Sequence, residues 1–367
     1  MQLQQTKPTY TKIDSMKIHK LFILLAFLPA NGLSAHEAWV LSPSEYAALA
    51  AEPVPEIFLS STTLLFASVV AMMLVTFALW LQSLLAPYEE RLSHYLPLLG
   101  LRIGGPLLRF GMALPIGLGA LGGLPRHGTE KWAEPTFLVP DMQIGSMPGY
   151  ETLCFFCLLT AALLILGLWT RTAALFVILL TLAGGQLFGA VFIYSYAAHF
   201  IAPALVLLWI GAGPLSVDWY FGASRPEMWG RLDFVWPVIM LMTGATFVYL
   251  SLSIKLAHPT LLIAILKHGG LDQLGVPLAW VALVMTGVEL IAGLLLMMGH
   301  LVRPIGLFLI SAFTFFSIIL GETPLFHANL YALTFMLVVF GAQPTAENLR
   351  KMQWRIFHPS LLHSSLD

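Results

Sequence analysis

Gly287–Arg303 reads GVELIAGLLLMMGHLVR, an apolar segment with one acidic residue well inside it. Glu289 lies 12 residues in from Pro277. At ~1.5 Å per residue that is roughly 18 Å, near the middle of a hydrocarbon core about 30 Å thick. An ionisable side chain at that depth is costly, so it marks either a functional site or a brace between helices. An isolated carboxyl there is expected to keep its proton.

The rest of the chain has the same character. It is 58% hydrophobic and 10% charged, more apolar surface than a water-soluble fold of 367 residues can cover. These numbers predict an all-α polytopic membrane protein. A net charge of −1 gives no electrostatic footprint for nucleic acid. Two cysteines exclude a disulfide framework.

Apolar runs predict nine transmembrane helices, near 57–85, 97–121, 150–168, 172–194, 197–213, 233–253, 277–299, 303–320 and 326–343. The run MKIHKLFILLAFLPANGLSA begins with two lysines, continues as a short apolar stretch and closes on small residues, as a secretory signal peptide does. Cleavage after Ala35 would place His36-Glu37-Ala38-Trp39 at a periplasmic N-terminus. Alternate loops then fall in the cytoplasm. They carry Arg91, Arg171, Arg225, Arg231 and Arg303, and the tail adds Arg350, Lys351 and Arg355. The outer loops hold Arg126, Lys131, Lys255 and Lys267. The positive-inside rule agrees with the signal peptide and puts the C-terminus in the cytoplasm of a bacterial inner membrane.

The sequence also repeats. Segments 97–213 and 233–343 each hold four predicted helices, with a longer outer loop after the first helix (122–149 and 254–276). Each has a basic corner between helices two and three, LLILGLWTR at 163–171 and LLLMMGHLVR at 294–303. Each last helix begins just after a histidine, in SYAAHF and in PLFHAN. The expected organisation is a leader and signal peptide (1–35), a periplasmic segment with a first helix (36–86), two four-helix units (87–224 and 225–345) and a tail (346–367).

On these residues the chain resembles the DoxX family of small four-helix membrane proteins. The first unit supplies LLRFG at 107–111, GLWTR at 167–171 and GAGPLSVD at 211–218. The second supplies SIKLAHP at 253–259, Glu289, GHLVRP at 299–304 and His327. The two units depart from the family pattern differently. Counted back from the corner arginine, Cys157 stands in the first unit where Glu289 stands in the second, and the second ends in GAQPTAEN in place of a Ser-x-Asp corner. Several family members belong to quinone-linked systems, such as the membrane subunit of thiosulfate:quinone oxidoreductase, and many have no defined activity. The resemblance therefore implies a quinone as cofactor and a periplasmic redox partner.

Three constellations carry candidate chemistry. Glu289 is a candidate proton relay, with helix bracing as its rival role. Cys154 and Cys157 share a helix face, which fits either thiol–disulfide exchange or two small residues at a helix seam. His199, His327, Asn329, Lys255 and His258 are expected at one depth near the outer face, with Tyr194 and Tyr196 beside His199. They can ring a substrate or quinone pocket, although Tyr and Lys also anchor helix ends at the interface. An N-terminal His36 can chelate copper, but segment 36–56 offers no second histidine and makes copper a poor expectation. No phosphate loop, dinucleotide fingerprint or zinc spacing occurs. The functional expectation is an integral membrane component of a quinone-linked periplasmic redox system. Its rivals are a non-catalytic scaffold or assembly factor and a small-solute transporter.

Overall fold

The computed structural model describes residues 40–125, 130, 132–222 and 232–342. The leader, His36 and the tail lie outside them, as do the loop residues Arg126, Lys131, Arg225 and Arg231. The described chain is all-helical apart from a single bridge, Thr136 to Gln143, in a loop. Its helices are α1 (Pro43–Ala50), α2 (Glu56–Leu59), α3 (Ser61–Ala120), α4 (Tyr150–Leu166), α5 (Thr170–Phe192), α6 (Ala198–Ile210) and α7 (Val217–Tyr220). After these come α8 (Leu232–Tyr249), α9 (Pro259–His268), α10 (Leu278–Met297), α11 (Val302–Ile319) and α12 (Ala328–Phe340). Two π-helical segments, Ile193–Ala197 and Leu250–Leu256, join α5 to α6 and extend α8.

Five helical stretches among the described residues are long and apolar enough to cross a membrane: Ser61–Ala120, Thr170–Ile210, Val235–Leu256, Leu278–Met297 and Val302–Ile319. Three further apolar helices are shorter: Tyr150–Leu166, Pro259–His268 and Pro324–Phe340. The first two long stretches absorb four of the predicted runs. The linker 86–96, expected as a loop, is helical and continues across the expected boundary at 86/87.

A helix of 60 residues would span about 90 Å if straight, three times a hydrocarbon core. Its neighbours show that α3 is not straight. Just before it, Phe58 joins a buried cluster with Leu262, Leu266 and Ala282, beside the start of α10. Gln82 bonds Nδ1 of His300, just past the end of α10, at 2.7 Å. Farther along, Gly100 lies against Val339 and Phe340 at the end of α12, and Gly111 against Ala328 and Ala332 at its start. The chain thus runs with α10 from Phe58 to Gln82 and against α12 from Gly100 to Gly111. Helices α10 and α12 point the same way, because α11 returns between them and its Arg303 reaches the Phe340 carbonyl. The chain therefore reverses between Gln82 and Gly100. Pro87 and Pro97 stand in that stretch, and each removes a helical hydrogen bond and bends the axis.

Thr170–Ile210 also folds back on itself. Gly189 has φ 74 and ψ −157, which breaks the helix. Gly184 then packs on Phe192 and Gly185 on Ile193, while Nε of Arg171 donates to the Leu208 carbonyl at 3.2 Å. The break is at Gly189; Gly184 and Gly185 are the small residues that let the two arms approach.

The helices interlock. The second half of α3 packs on α4 and along α12, and α8 packs on α10 and α6. The last helix of each four-helix segment thus touches the first helix of the other. Close approach depends on glycine. Gly100, Gly104 and Gly111 share the α3 face that meets α12. Gly244 of α8 and Gly293 of α10 lie so close that a Cβ on either would meet the other's carbonyl within 2.8 Å. Outward on the early turns of α3, Leu65, Phe66, Met72, Met73, Phe77 and Trp80 are exposed. Such a surface suits lipid, not water.

Candidate functional site

The two basic corners have matching backbones. Gly167 and Gly299 end α4 and α10 with φ 61 and 71. In each, the next amide returns to the carbonyl five residues back: Leu168 to Leu163 at 3.0 Å, and His300 to Leu295 at 2.8 Å. Trp169 and Leu301 come next at φ 48 and 49, a left-handed conformation uncommon without glycine. Nε of Arg171 and of Arg303 then reach carbonyls three residues before Gly211 and Gly341, which end α6 and α12.

Around this shared frame the halves differ. In the first, Arg109 is fully buried and donates to the carbonyls of Leu164, Ile165, Ala212, Pro214 and Leu215. Asp218 accepts from the amides of Trp169 and Thr170, both at 2.8 Å, and so caps α5. The motifs LLRFG, GLWTR and GAGPLSVD meet here as a knot of helix-end hydrogen bonds. In the second, Nε1 of Trp236 donates to the Gly341 carbonyl at 2.8 Å, and Arg303 pairs with Glu89 of α3.

At the other end of the second half is a cavity of about 540 Å³. Its polar lining consists of His199, Lys255, Glu289, Ser311, Glu322 and His327. Its walls are otherwise apolar, with Phe247, Phe308, Phe313, Phe315 and Phe316 prominent among them. Lys255 and Glu289 form an ion pair, each side chain keeping 18% of its surface open. The isolated acid expected from the sequence thus has a partner, Lys255. The π segment Leu250–Leu256 carries Lys255. Such a segment inserts one residue into the helical turn and rotates the residues after it by roughly 100°.

A second polar station lies near the ends of α11 and α12. Nε2 of His327 is 3.9 Å from Glu322, and both side chains are almost completely buried. Ring stacking on Phe313 orients His327. His199 is buried and lines the cavity, and its Nε2 finds no hydrogen-bond partner. Nδ2 of Asn329 donates to the His199 backbone carbonyl at 2.9 Å, tying α12 to α6.

The structure thus brings Glu289, Lys255, His199 and His327 to one cavity. It separates the other candidates. Asn329 positions a helix. Nδ1 of His258 lies 3.3 Å from the Ala50 carbonyl, and Thr260 donates to the Leu49 carbonyl, so that region holds α1. Tyr196 donates to Asp141 at 2.9 Å, and Tyr194 packs on Tyr249. Cys154 and Cys157 are free thiols; Cys157 is buried in the main core and neither lines the cavity. Glu322 does not stand out in the sequence, where it reads as a corner acid in Gly-Glu-Thr-Pro. Among the described residues no group of three or more His, Cys, Asp or Glu side chains is arranged to hold a metal ion.

Comparison with family models, with curated proteins and with solved structures finds no match to this chain.

Proposed function

We propose that this protein is the membrane component of a quinone-linked redox system and that the quinone ring binds in the cavity beside Lys255 and Glu289. The observation that carries this reading is a charged pair set in an aromatic, apolar chamber inside a lipid-exposed helical protein. Small-molecule sites are mostly apolar with a few convergent polar groups. A quinone matches that surface: its ring and tail suit the phenylalanine walls, and its carbonyls accept hydrogen bonds. The Lys255 ammonium has three donors, so it can bond Glu289 and a ligand oxygen together. Glu289 is the group that takes up or releases a proton as the ring oxygen changes state.

The chain crosses the membrane nine times in this proposal. The reversal within α3 and the hairpin at Gly189 support the higher count. The resemblance to the DoxX family supports the redox setting, with a periplasmic protein as the expected redox partner. The mature N-terminus lies outside and the tail inside.

Extraction tests the proposal. Protein purified in mild detergent is extracted with organic solvent and the extract is analysed for quinones. The expected result is co-purified quinone at a level well above that of an unrelated membrane protein from the same cells. An extract with no enrichment, together with no saturable binding of an added short-tailed para-benzoquinone, would overturn the reading.

A further inference from the structure

The cavity holds polar groups at two depths, and one of them has no partner. Glu289 sits three turns into α10, roughly 16 Å from the helix start at Leu278. Glu322 and His327 instead lie at the ends of α11 and α12, where the chain turns. His199 belongs to this second level through Asn329, which stands two residues after His327 and holds its backbone. Lys255 and Glu289 are paired with each other. His199 is not: its Nε2 is buried in a residue only 5% exposed, and the residue lines the cavity. A buried polar atom without a partner is unfavourable, and a ligand atom bonded to it would remove that cost.

We infer that the cavity is a two-point site, in which His199 Nε2 bonds one oxygen of the ligand and the Lys255 ammonium bonds another on the far side of the same ring. This rests on the quinone reading above and deepens it. It specifies a flat ring with oxygens at opposite edges, and it excludes a single-headed amphiphile such as a fatty acid or alcohol as the fitted ligand. The imidazole suits both redox states of such a ring. Nε2 donates in one tautomer, to a carbonyl, and accepts in the other, from a hydroxyl. Ring contacts of His199 with Tyr196 and of His327 with Phe313 keep the two imidazoles in fixed orientations. Glu322 beside His327 supplies the second carboxyl of the chamber, so each end of the ligand has a titratable neighbour.

The test compares two probes on the full-length protein in detergent. One is a short-tailed para-benzoquinone; the other is its analogue with one ring oxygen removed. Wild type is expected to bind the two-oxygen ring at least tenfold more tightly. His199→Phe, which keeps an aromatic ring but removes the nitrogen, is expected to weaken the two-oxygen ring about tenfold and leave the one-oxygen analogue unchanged. His199→Gln, which retains a donor, is expected to restore part of the difference. Equal affinity of wild type for both probes, or equal losses for both in His199→Phe, would overturn the two-point site while leaving quinone binding intact. Failure of wild type to bind either probe would instead count against the quinone reading itself. Thermal unfolding of each variant identifies any that fails to fold; if His199→Phe does, His199→Gln and the wild-type probe ratio still decide the question.

Discussion

Cys157 and Glu289 occupy the same place in two similar corners, 14 residues before Arg171 and Arg303. One is buried in a packed core and the other faces a chamber. The backbone around them matches: the same left-handed glycine, the same left-handed residue two positions later, the same arginine reaching the end of the last helix. In the first half polar chemistry closes helix ends, with Arg109 and Asp218 satisfying carbonyls and amides that lipid would leave bare. In the second half Arg303 still reaches the carbonyls of the last helix, but Lys255, Glu289 and Glu322 line a cavity. One frame thus surrounds a hydrogen-bonded knot in the first half and stands beside a polar-lined cavity in the second.

The strongest way to break this comparison is at the knot. Arg109→Met should remove donors from five carbonyls, and at about 1–3 kcal/mol for each group left bare the loss should exceed about 4 kcal/mol. No folded protein should accumulate in membranes. Normal yield and unfolding temperature would show that the knot is dispensable.

Exchanging the two equivalent positions sharpens it. Cys157→Glu puts a carboxyl into a buried apolar cluster away from the cavity, and should cost roughly 3 kcal/mol. It should lower the unfolding temperature far more than Glu289→Cys does. Equal tolerance at both sites would mean that the halves do not differ as described.

The cysteines give a smaller effect. The Cys154→Ser, Cys157→Ser double variant should lose about 1 kcal/mol or less of stability and keep quinone binding, because neither thiol reaches the cavity. Loss of binding would return the thiols to the site.

Smallest of all is the N-terminal strap. Val40 lines the cavity, and α1 is fixed by a capping box in which Ser42 hydrogen-bonds Glu45 and holds that carboxyl below its usual pKa. The bond therefore contributes above the ordinary carboxylate range and fades as acid protonates Glu45. Ser42→Ala should speed proteolysis of the strap at neutral pH, and the difference from wild type should shrink under acid. A difference independent of pH would assign the effect to another contact.

Much of the fold was legible in the sequence, because apolar runs and the Gly-x-x-x-Arg corners are local signals. The all-helical class and the two corners come from them. The continuity of α3 did not: Pro87 reads as a loop residue and Pro97 as the start of a new helix, yet the chain turns there while staying helical. The pairing of Lys255 with Glu289 was also hidden. The two are 34 residues apart, and a π segment sets the direction of Lys255. Glu322 gives no local signal in the sequence, because only the fold brings it beside His327. Four of the cavity's polar residues were visible as types out of place in apolar sequence, but their grouping depended on α6 meeting α12.

Pairing changes what a substitution at Glu289 means. An isolated protonated acid could be replaced by glutamine without harm if it served only as a brace. Beside Lys255, Glu289→Gln strands an ammonium in an apolar chamber and should cost about 3 kcal/mol whatever the role of the acid. The decisive measurement is therefore para-benzoquinone affinity in the double variant Lys255→Met, Glu289→Gln, which removes both charges together. The expected result is a protein that unfolds near the wild-type temperature and binds the quinone at least tenfold more weakly. A stable double variant that binds quinone as wild type does would contradict a charged quinone site and make the pair a brace.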